Sequence, residues 1–205
     1  MAATKMKIVF ATRNAGKIIE MRTLLDDLDI RILSLDESGI FEEIEEDGKT
    51  FEENALKKAK FVAQKAGEWA IADDSGICLK ALGNAPGVLT ARWAGDDSSD
   101  KNLVKHTLEQ MKDVPEGERQ AYFESVIALV SPDGKKYVFQ GRVDGIVAKE
   151  PRGVNRPKLP YDLIFIPEGE TRTFAEMSDA EKNSMSHRGR AFEKLREFFK
   201  NNISK

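Results

Sequence analysis

Two long β-rich runs joined by a tight turn are the strongest constraint on how this chain can fold. The runs are Gln120–Val130 and Lys136–Val147, and Ser-Pro-Asp-Gly at residues 131–134 separates them. Asp-Gly supplies the positive-φ backbone that hairpin turns require. The pattern therefore predicts a β-hairpin in the middle of the chain.

Strands and helices alternate before this hairpin. Residues 7–11 form a compact apolar run typical of a buried strand, and apolar residues recur at helical spacing over residues 17–28. Residues 30–35 indicate a second strand. Thr50 with Glu53 predicts a capping box that opens a helix to about Ala66.

The remaining elements complete an α/β pattern. A short strand is predicted over residues 69–72, ending at Asp73, and another over residues 164–166. Ser178 with Glu181 predicts a second capping box, and residues 188–200 form the last helix. The order of elements predicts a mixed, twisted sheet with helices on both faces. No repeat or linker divides the chain, so we expect a single domain over residues 1–205.

Charge and cysteine content narrow the partners and the compartment. The 205 residues carry a formal net charge of −3, whereas proteins that bind duplex nucleic acid usually show a basic excess. The single Cys78 allows no internal disulfide. No run approaches the roughly 20 apolar residues of a membrane span, and the N-terminus lacks the apolar stretch of a signal peptide. We therefore expect a cytoplasmic protein with no nucleic-acid or membrane partner.

The turn after the first strand is a candidate anion site. A helix that begins there would point its unpaired N–H groups and the positive end of its dipole at a ligand. An ordinary N-capped helix with a solvated lysine explains the pattern equally well. The candidate residues are Thr12, Arg13, Asn14, Ala15, Gly16 and Lys17.

Adjacent carboxylates form a second candidate site. Asp73 and Asp74 precede Ser75 and Gly76 at the end of an apolar strand. Neighbouring carboxylates repel one another and favour a bound cation, and Mg²⁺ bridges carboxylates to substrate phosphates. A carboxylate could also deprotonate an attacking water. The alternative is a turn with solvated acids. Either Glu45 or Glu46, in the acidic run 42–48, could add a ligand.

A third candidate lies between the last two helices. Lys182, His187 and Arg188 fall within seven residues, and the two latter side chains can donate hydrogen bonds to carbonyl or phosphate oxygens. Ser186 alone would be explained as a helix cap. That reading does not account for the three basic side chains together.

These segments together resemble the inosine/xanthosine triphosphate pyrophosphatases, a family that acts on non-canonical purine nucleotides. The resemblance covers essentially the whole chain and rests on five motifs in register. They are Phe-Ala-Thr-Arg-Asn-Ala-Gly-Lys (10–17), Thr-Phe-Glu-Glu-Asn-Ala (50–55), Ala-Asp-Asp-Ser-Gly (72–76), Asn-Ala-Pro-Gly (84–87), and Glu-Lys with Ser-His-Arg-Gly (181–182, 186–189).

The resemblance implies an elongated mixed α/β fold of two lobes around a cleft, a homodimer, and Mg²⁺-dependent hydrolysis of ITP, dITP or XTP to the monophosphate and pyrophosphate. It implies that residues 12–17 hold phosphates and that Asp74 binds Mg²⁺ and accepts the proton of water. Asp73 and Glu45 or Glu46 would support the metal. Ser75 and Lys182 would contact substrate, and His187 and Arg188 would recognise the purine 6-oxo group.

One segment departs from the family pattern. The family carries Gly-Phe-Gly-Tyr-Asp-Pro, whereas this chain has Arg-Pro-Lys-Leu-Pro-Tyr-Asp-Leu at residues 156–163, about two residues longer. Tyr161 and Asp162 are kept as substrate-binding candidates, but the phenylalanine expected to stack on the base is missing. The alternatives are therefore a same-fold pyrophosphatase with a shifted base preference, or a nucleotide-binding protein without turnover.

Overall fold

The computed structural model describes residues 5–202, which form two compact units. One unit contains the described parts of Met1–Asp74, Val126–Gln140 and Ala191–Lys205, and the other contains Ser75–Ser125 and Gly141–Arg190. Met1–Thr4, part of the segment assessed above for a signal peptide, lie outside the described residues.

The described chain contains seven strands and five α-helices. The strands are β1 (Met6–Phe10), β2 (Ile30–Leu33), β3 (Trp69–Leu79), β4 (Ala85–Pro86), β5 (Gln120–Val130), β6 (Lys136–Val147) and β7 (Phe165–Pro167). The α-helices are α1 (Ala15–Leu24), α2 (Phe51–Ala66), α3 (Asp100–Gln110), α4 (Asp179–Met185) and α5 (His187–Asn202). None of these helices is both long and apolar enough to cross a bilayer.

The strands form one open, mixed sheet, as predicted. Its order is β2-β1-β3-β5-β6-β7, with β4 paired to β3. Strand β1 runs parallel to β2 and β3, whereas the pairs β3–β4 and β6–β7 are antiparallel. The predicted hairpin is confirmed. β5 and β6 are neighbours joined by a turn in which Gly134 has φ +88° and Ser131 N–H donates to the Lys135 carbonyl.

The first unit buries one apolar cluster. Ile8 and Phe10 of β1 pack with Met21 of α1 and with Leu195 and Phe199 of α5. Leu195 and Phe199 therefore lie on the buried side of α5. Burial of this stripe holds α5 on the sheet, since each fully buried large apolar side chain contributes about 1.5–3 kcal/mol.

The second unit has its own aromatic cluster. The Phe123 ring meets Phe165 edge-on at a centroid distance of 4.8 Å, and the rings of Phe165 and Phe174 lie 5.2 Å apart. Val143 and Tyr161 are buried against them. These contacts fix the start of β7 beside β5 and β6.

Strand β3 differs from its prediction. It was expected to end at Ala72 with a turn at Asp73, but it continues to Leu79. Both acidic side chains are therefore held on a regular strand. The strand can continue because each carboxylate has a polar partner, as described below.

The bounds of helix α1 and the cap of helix α2 also differ from their predictions. Helix α1 begins at Ala15 and ends at Leu24, whereas we expected residues 17–28. It stops before three aspartates at positions 26, 27 and 29, whose charges oppose the negative end of the helix dipole. At the start of α2, one half of the predicted capping box is present, since the Thr50 hydroxyl accepts a hydrogen bond from the Glu53 backbone N–H. The Glu53 carboxylate accepts from the backbone N–H of Lys49, at 2.6 Å, one residue before the N-cap. The box at Ser178 and Glu181 is confirmed.

Candidate functional site

Asn14 organises the turn that precedes α1. The side-chain oxygen of Asn14 accepts hydrogen bonds from Gly16 N–H at 3.0 Å and from Lys17 N–H at 3.4 Å. The backbone N–H of Asn14 donates to Thr12 Oγ1. The capped helix is therefore present, with Ala15 and Gly16 exposed to solvent. The turn still carries the positive end of the α1 dipole, which favours an anion at this place.

The two basic side chains of this turn have different partners. Lys17 Nζ lies 2.6 Å from Asp73 Oδ2, and that aspartate is only 3% exposed. Arg13 instead pairs with the exposed Asp36 at 3.2 Å and donates to the Glu42 carbonyl. The structure therefore brings Lys17, but not Arg13, to the acidic residues of β3.

Asp74 is half-buried at the next position of β3. Its Oδ2 accepts a hydrogen bond from the Asn54 side-chain amide at 2.9 Å. Burial raises the pKa of Asp74 above its usual range, and the charges of Glu46 and Asp73 act in the same direction, while Lys58 and Asn54 oppose them. A carboxylate with a raised pKa is a better proton acceptor near neutral pH than an ordinary one.

Lys58 joins the acidic loop to the same strand. Its Nζ forms an ion pair with Glu46 and donates to the Asp73 backbone carbonyl at 2.7 Å. Glu45, by contrast, has a side chain that is 86% exposed and lies 3.9 Å from Lys57. Of the two candidate glutamates, the structure therefore places Glu46 in the charged cluster.

Two carboxylates of this cluster, Asp74 and Glu46, could contribute to a metal site. Within residues 5–202, no group of three or more His, Cys, Asp or Glu side chains is arranged to hold a metal ion. Mg²⁺ usually takes only one or two protein carboxylates and completes its shell with water and phosphate oxygens. Asp74 and Glu46 have Lys58 as a common neighbouring cation, so any such ligands in this cluster would come from these two residues.

A second charged cluster lies in the other unit. Lys182 of α4 forms an ion pair with Asp162, and both side chains are almost fully buried. Burial raises the pKa of Asp162, whereas the charges of Lys182, Arg156 and Arg188 oppose that shift. Lys182 Nζ also lies 5.6 Å from the centre of the Phe174 ring.

Helix α5 begins at His187, one residue before the predicted start at Arg188. The His187 ring stacks on Phe123 with a centroid distance of 4.6 Å and an interplanar angle of 9°. Ser186 caps the helix by accepting from Gly189 N–H at 3.1 Å. A side chain at Gly189 would lie 1.9 Å from the Asn183 carbonyl oxygen, so glycine is needed where α5 crosses the end of α4.

The segment 156–163 is held in place by polar contacts. Arg156 donates to the Met177 carbonyl and lies 3.4 Å from Asp179 and 4.0 Å from Asp162. Lys158, at a positive φ of 66°, donates its N–H to the Asp100 carboxylate at 2.8 Å. The anchored loop replaces the glycines of the family pattern.

Two predicted substrate residues have structural environments of different kinds. Tyr161 is 4% exposed in the aromatic cluster, and its hydroxyl donates to the Thr90 carbonyl at 2.8 Å. Burial raises the pKa of this phenol. Ser75 is half-buried on β3 beside Asp74. The position of Tyr161 is that of a core residue.

Sequence reasoning missed Asn54, Lys58 and Arg156. Asn54 and Lys58 are four residues apart and therefore lie on one face of α2, together with the buried Phe51, Ala55 and Ala59. Polar residues on an otherwise apolar helix face were the signal that could have identified the first two. Arg156 had no such periodic signal because it lies in a loop.

The open mixed sheet and its flanking helices define a mixed α/β protein, with lysine–carboxylate clusters in both units. The sequence model of the Ham1 family matches residues 8–198. A protein of Geobacter sulfurreducens named dITP/XTP pyrophosphatase is 44% identical over 191 residues, which cover 93% of this chain and 95% of the relative. One of Leuconostoc mesenteroides with the same name is 45% identical over 193 residues, with 93% and 94% covered.

Two solved structures are also similar to this chain over most of its length. A HAM1 protein from Coxiella burnetii superposes with a TM-score of 0.90 at 39% identity, over 96% of this chain and 99% of that one. A nucleoside-triphosphatase, or dITP/XTP pyrophosphatase, from Mycobacterium abscessus gives a TM-score of 0.81 at 42% identity, over 93% and 98%. The chain belongs to the Ham1 family.

Proposed function

We propose that this protein hydrolyses the non-canonical purine nucleotides dITP, ITP and XTP to the monophosphate and pyrophosphate. The names of its relatives support this activity, since they match over more than nine-tenths of the chain. The single observation that carries the chemistry is Asp74, a half-buried carboxylate of raised pKa beside Lys58 and Glu46. We place the activity in the cytoplasm.

In the proposed reaction, Asp74 takes a proton from water as the water oxygen attacks the α-phosphorus. A new P–O bond forms, the bond from the α-phosphorus to the bridging oxygen breaks, and pyrophosphate leaves with the electron pair. The raised pKa of Asp74 suits this role because the carboxylate must accept a proton and later release it.

Positive charge from this chain would stabilise the phosphates. Lys17 and the N-terminus of α1 supply it at the turn 12–17, and Lys58 supplies it beside Asp74. Asp74 and Glu46, supported by Asp73, would hold Mg²⁺, which would offset phosphate charge when bound. Lys182 would contact the substrate.

His187 and Arg188 would select the base. Their N–H groups can pair with an acceptor oxygen at purine position 6 and would be left unpaired against the amine of adenine. A buried unpaired polar group costs about 1–3 kcal/mol, which disfavours ATP by roughly 5- to 150-fold. The stacking of His187 on Phe123 holds this donor in a fixed plane.

The anchored loop 156–163 favours a second candidate, a pyrophosphatase of the same fold with a shifted base preference. Arg156 and Lys158 fix this loop where the family pattern has glycines and a phenylalanine. Loss of a base–aromatic stack costs about 1–3 kcal/mol in single-strand nucleic-acid binding, enough to change the preferred base.

A panel of nucleoside triphosphates with pyrophosphate detection, with and without Mg²⁺, distinguishes these functions. We expect turnover of dITP, ITP and XTP, little of ATP, and near-complete loss in Asp74→Asn. A better substrate among other modified nucleotides would favour the second candidate. Tight binding of ITP without hydrolysis would show a binding protein, and full activity of Asp74→Asn would refute the mechanism. Light scattering tests the homodimer that we also propose.

A further inference from the structure

Asn54 is a buried amide whose two ends contact different parts of the first unit. The residue is 1% exposed. Its Oδ1 accepts from Gly48 N–H at 2.8 Å, and its Nδ2 donates to Asp74 Oδ2 at 2.9 Å. Only a side chain with an acceptor and a donor can make both bonds, because a backbone N–H donates and a carboxylate accepts.

Helix α2 does not itself require asparagine at this position. Asparagine is a weak helix former, and burying an unpaired amide is costly. Of the neighbouring buried positions on the same face, Phe51, Ala55 and Ala59 are apolar and Lys58 has its own ion pair with Glu46. The amide is therefore best explained by the two bonds that it makes.

Gly48 shows how closely the acidic loop approaches this amide. A β-carbon at Gly48 would lie 2.6 Å from Asn54 Oδ1 and 2.9 Å from Glu53 Cβ, so the place has room for backbone only. Glu46, two residues earlier, is paired with Lys58, one helical turn after Asn54. Adjacent turns of α2 thus hold both ends of the segment 46–48.

We infer that Asn54 is a positioning residue. It fixes the carboxylate of Asp74 and, through Gly48, the loop that carries Glu46, so that the two acids keep one mutual arrangement. This inference rests on the proposed function, in which Asp74 accepts the proton of water. An error of about 1 Å in a reacting group can cost roughly 100-fold in rate, so a clamp at this place matters for turnover.

Two substitutions separate the two arms of the clamp. Asn54→Asp keeps an oxygen for Gly48 N–H but replaces the donor to Asp74 with a second carboxylate. Gly48→Ala leaves the amide in place and displaces the loop. Asn102→Asp is a matched control, because the Asn102 amide also donates to a carboxylate, that of Asp97, but on an exposed surface.

We expect Asn54→Asp to lower kcat for dITP by about 10- to 100-fold with little change in KM, since a lost charge-assisted hydrogen bond and a displaced base both act on the chemical step. Gly48→Ala should lower kcat in the same direction, and Asn102→Asp should match the unsubstituted protein. Unchanged kcat in Asn54→Asp, or a rise in KM alone, would overturn the inference.

A structural measurement makes the outcome independent of activity. Crystal structures of Asn54→Ala and Gly48→Ala should show the Asp74 carboxylate rotated in the first and the loop 46–48 displaced in both. An unmoved Asp74 in Asn54→Ala refutes the positioning role even in a protein without turnover. Activity retained in Asp74→Asn would instead refute the proposed mechanism and leave that structural result to decide the role of Asn54.

Discussion

The buried ion pair between Lys182 and Asp162 gives the sharpest stability prediction. In Lys182→Met the Asp162 carboxylate stays buried and loses its closest cation. Removing one partner of a buried ion pair lowers the free energy of unfolding by about 3–5 kcal/mol. Arg156, 4.0 Å from the same oxygen, offsets part of the loss, so we expect about 3 kcal/mol. For a chain of this size that lowers Tm by roughly 6–12 °C.

The double variant Lys182→Met/Asp162→Asn isolates the charge. The double variant has no buried carboxylate, so its free energy of unfolding should fall by only about 1 kcal/mol, because an uncharged pair avoids the cost of desolvating a charge. Urea unfolding of the two single variants and the double variant gives the coupling energy. Strictly additive losses would refute the argument.

The pH dependence of Lys182→Met has a definite sign. Burial raises the folded-state pKa of Asp162, and losing Lys182 removes the main opposing charge. Because the pKa of Asp162 is higher in the folded protein than in the unfolded chain, folding favours the protonated carboxyl group. The penalty is therefore largest at neutral pH and diminishes as pH falls through the folded-state pKa toward about 3.9, the unfolded value. A penalty that grows on acidification would contradict this.

Two further substitutions test structural contacts. Arg119→Met should destabilise the protein by about 3 kcal/mol or more in thermal unfolding, because the buried guanidinium donates to four backbone carbonyls and each group left unpaired costs about 1–3 kcal/mol; a loss under 1 kcal/mol would refute this. Those carbonyls belong to Met111, Val114, Val147 and Ala148. Glu181→Gln should lower Tm at neutral pH, because hydrogen bonds from Ser178 and Arg172 lower the pKa of Glu181 to about 2. This stabilisation is complete above about pH 4.5 and is lost as pH falls toward 2, so the two proteins should converge there; a constant difference in Tm would contradict it.

Sequence patterns predicted the parts of the fold that depend on local chemistry. The hairpin at Ser131–Gly134 and the cap at Ser178 follow from residues adjacent in the chain. The continuation of β3 through Asp73 could not be predicted in this way. A charged residue breaks an apolar pattern, and the ion pair that stabilises this buried charge comes from Lys17, 56 positions away in the chain.

For the candidate site, the sequence shows the residue types but not how they are arranged. The acidic pair and the basic residues at 182–188 stand out by residue type. The preference for Glu46 over Glu45 depends on Lys58, which is a tertiary contact. Tyr161 shows the opposite case, since its type suits a base contact but the fold buries its ring and directs its hydroxyl to Thr90.

The continuation of β3 also bears on how this segment can change in evolution. Successive side chains of a strand point to opposite faces, and Asp73 and Asp74 accordingly meet partners from different helices, α1 and α2. Inserting or deleting one residue between Trp69 and Asp73 would shift this alternation by one position. An insertion would bring Asp73 to the position that faces Asn54, and a deletion would bring Asp74 to the position that faces Lys17. In each case the other partner would no longer face an acid of this pair. Substitutions of similar size should be accepted at residues 69–72 more readily than any change of length.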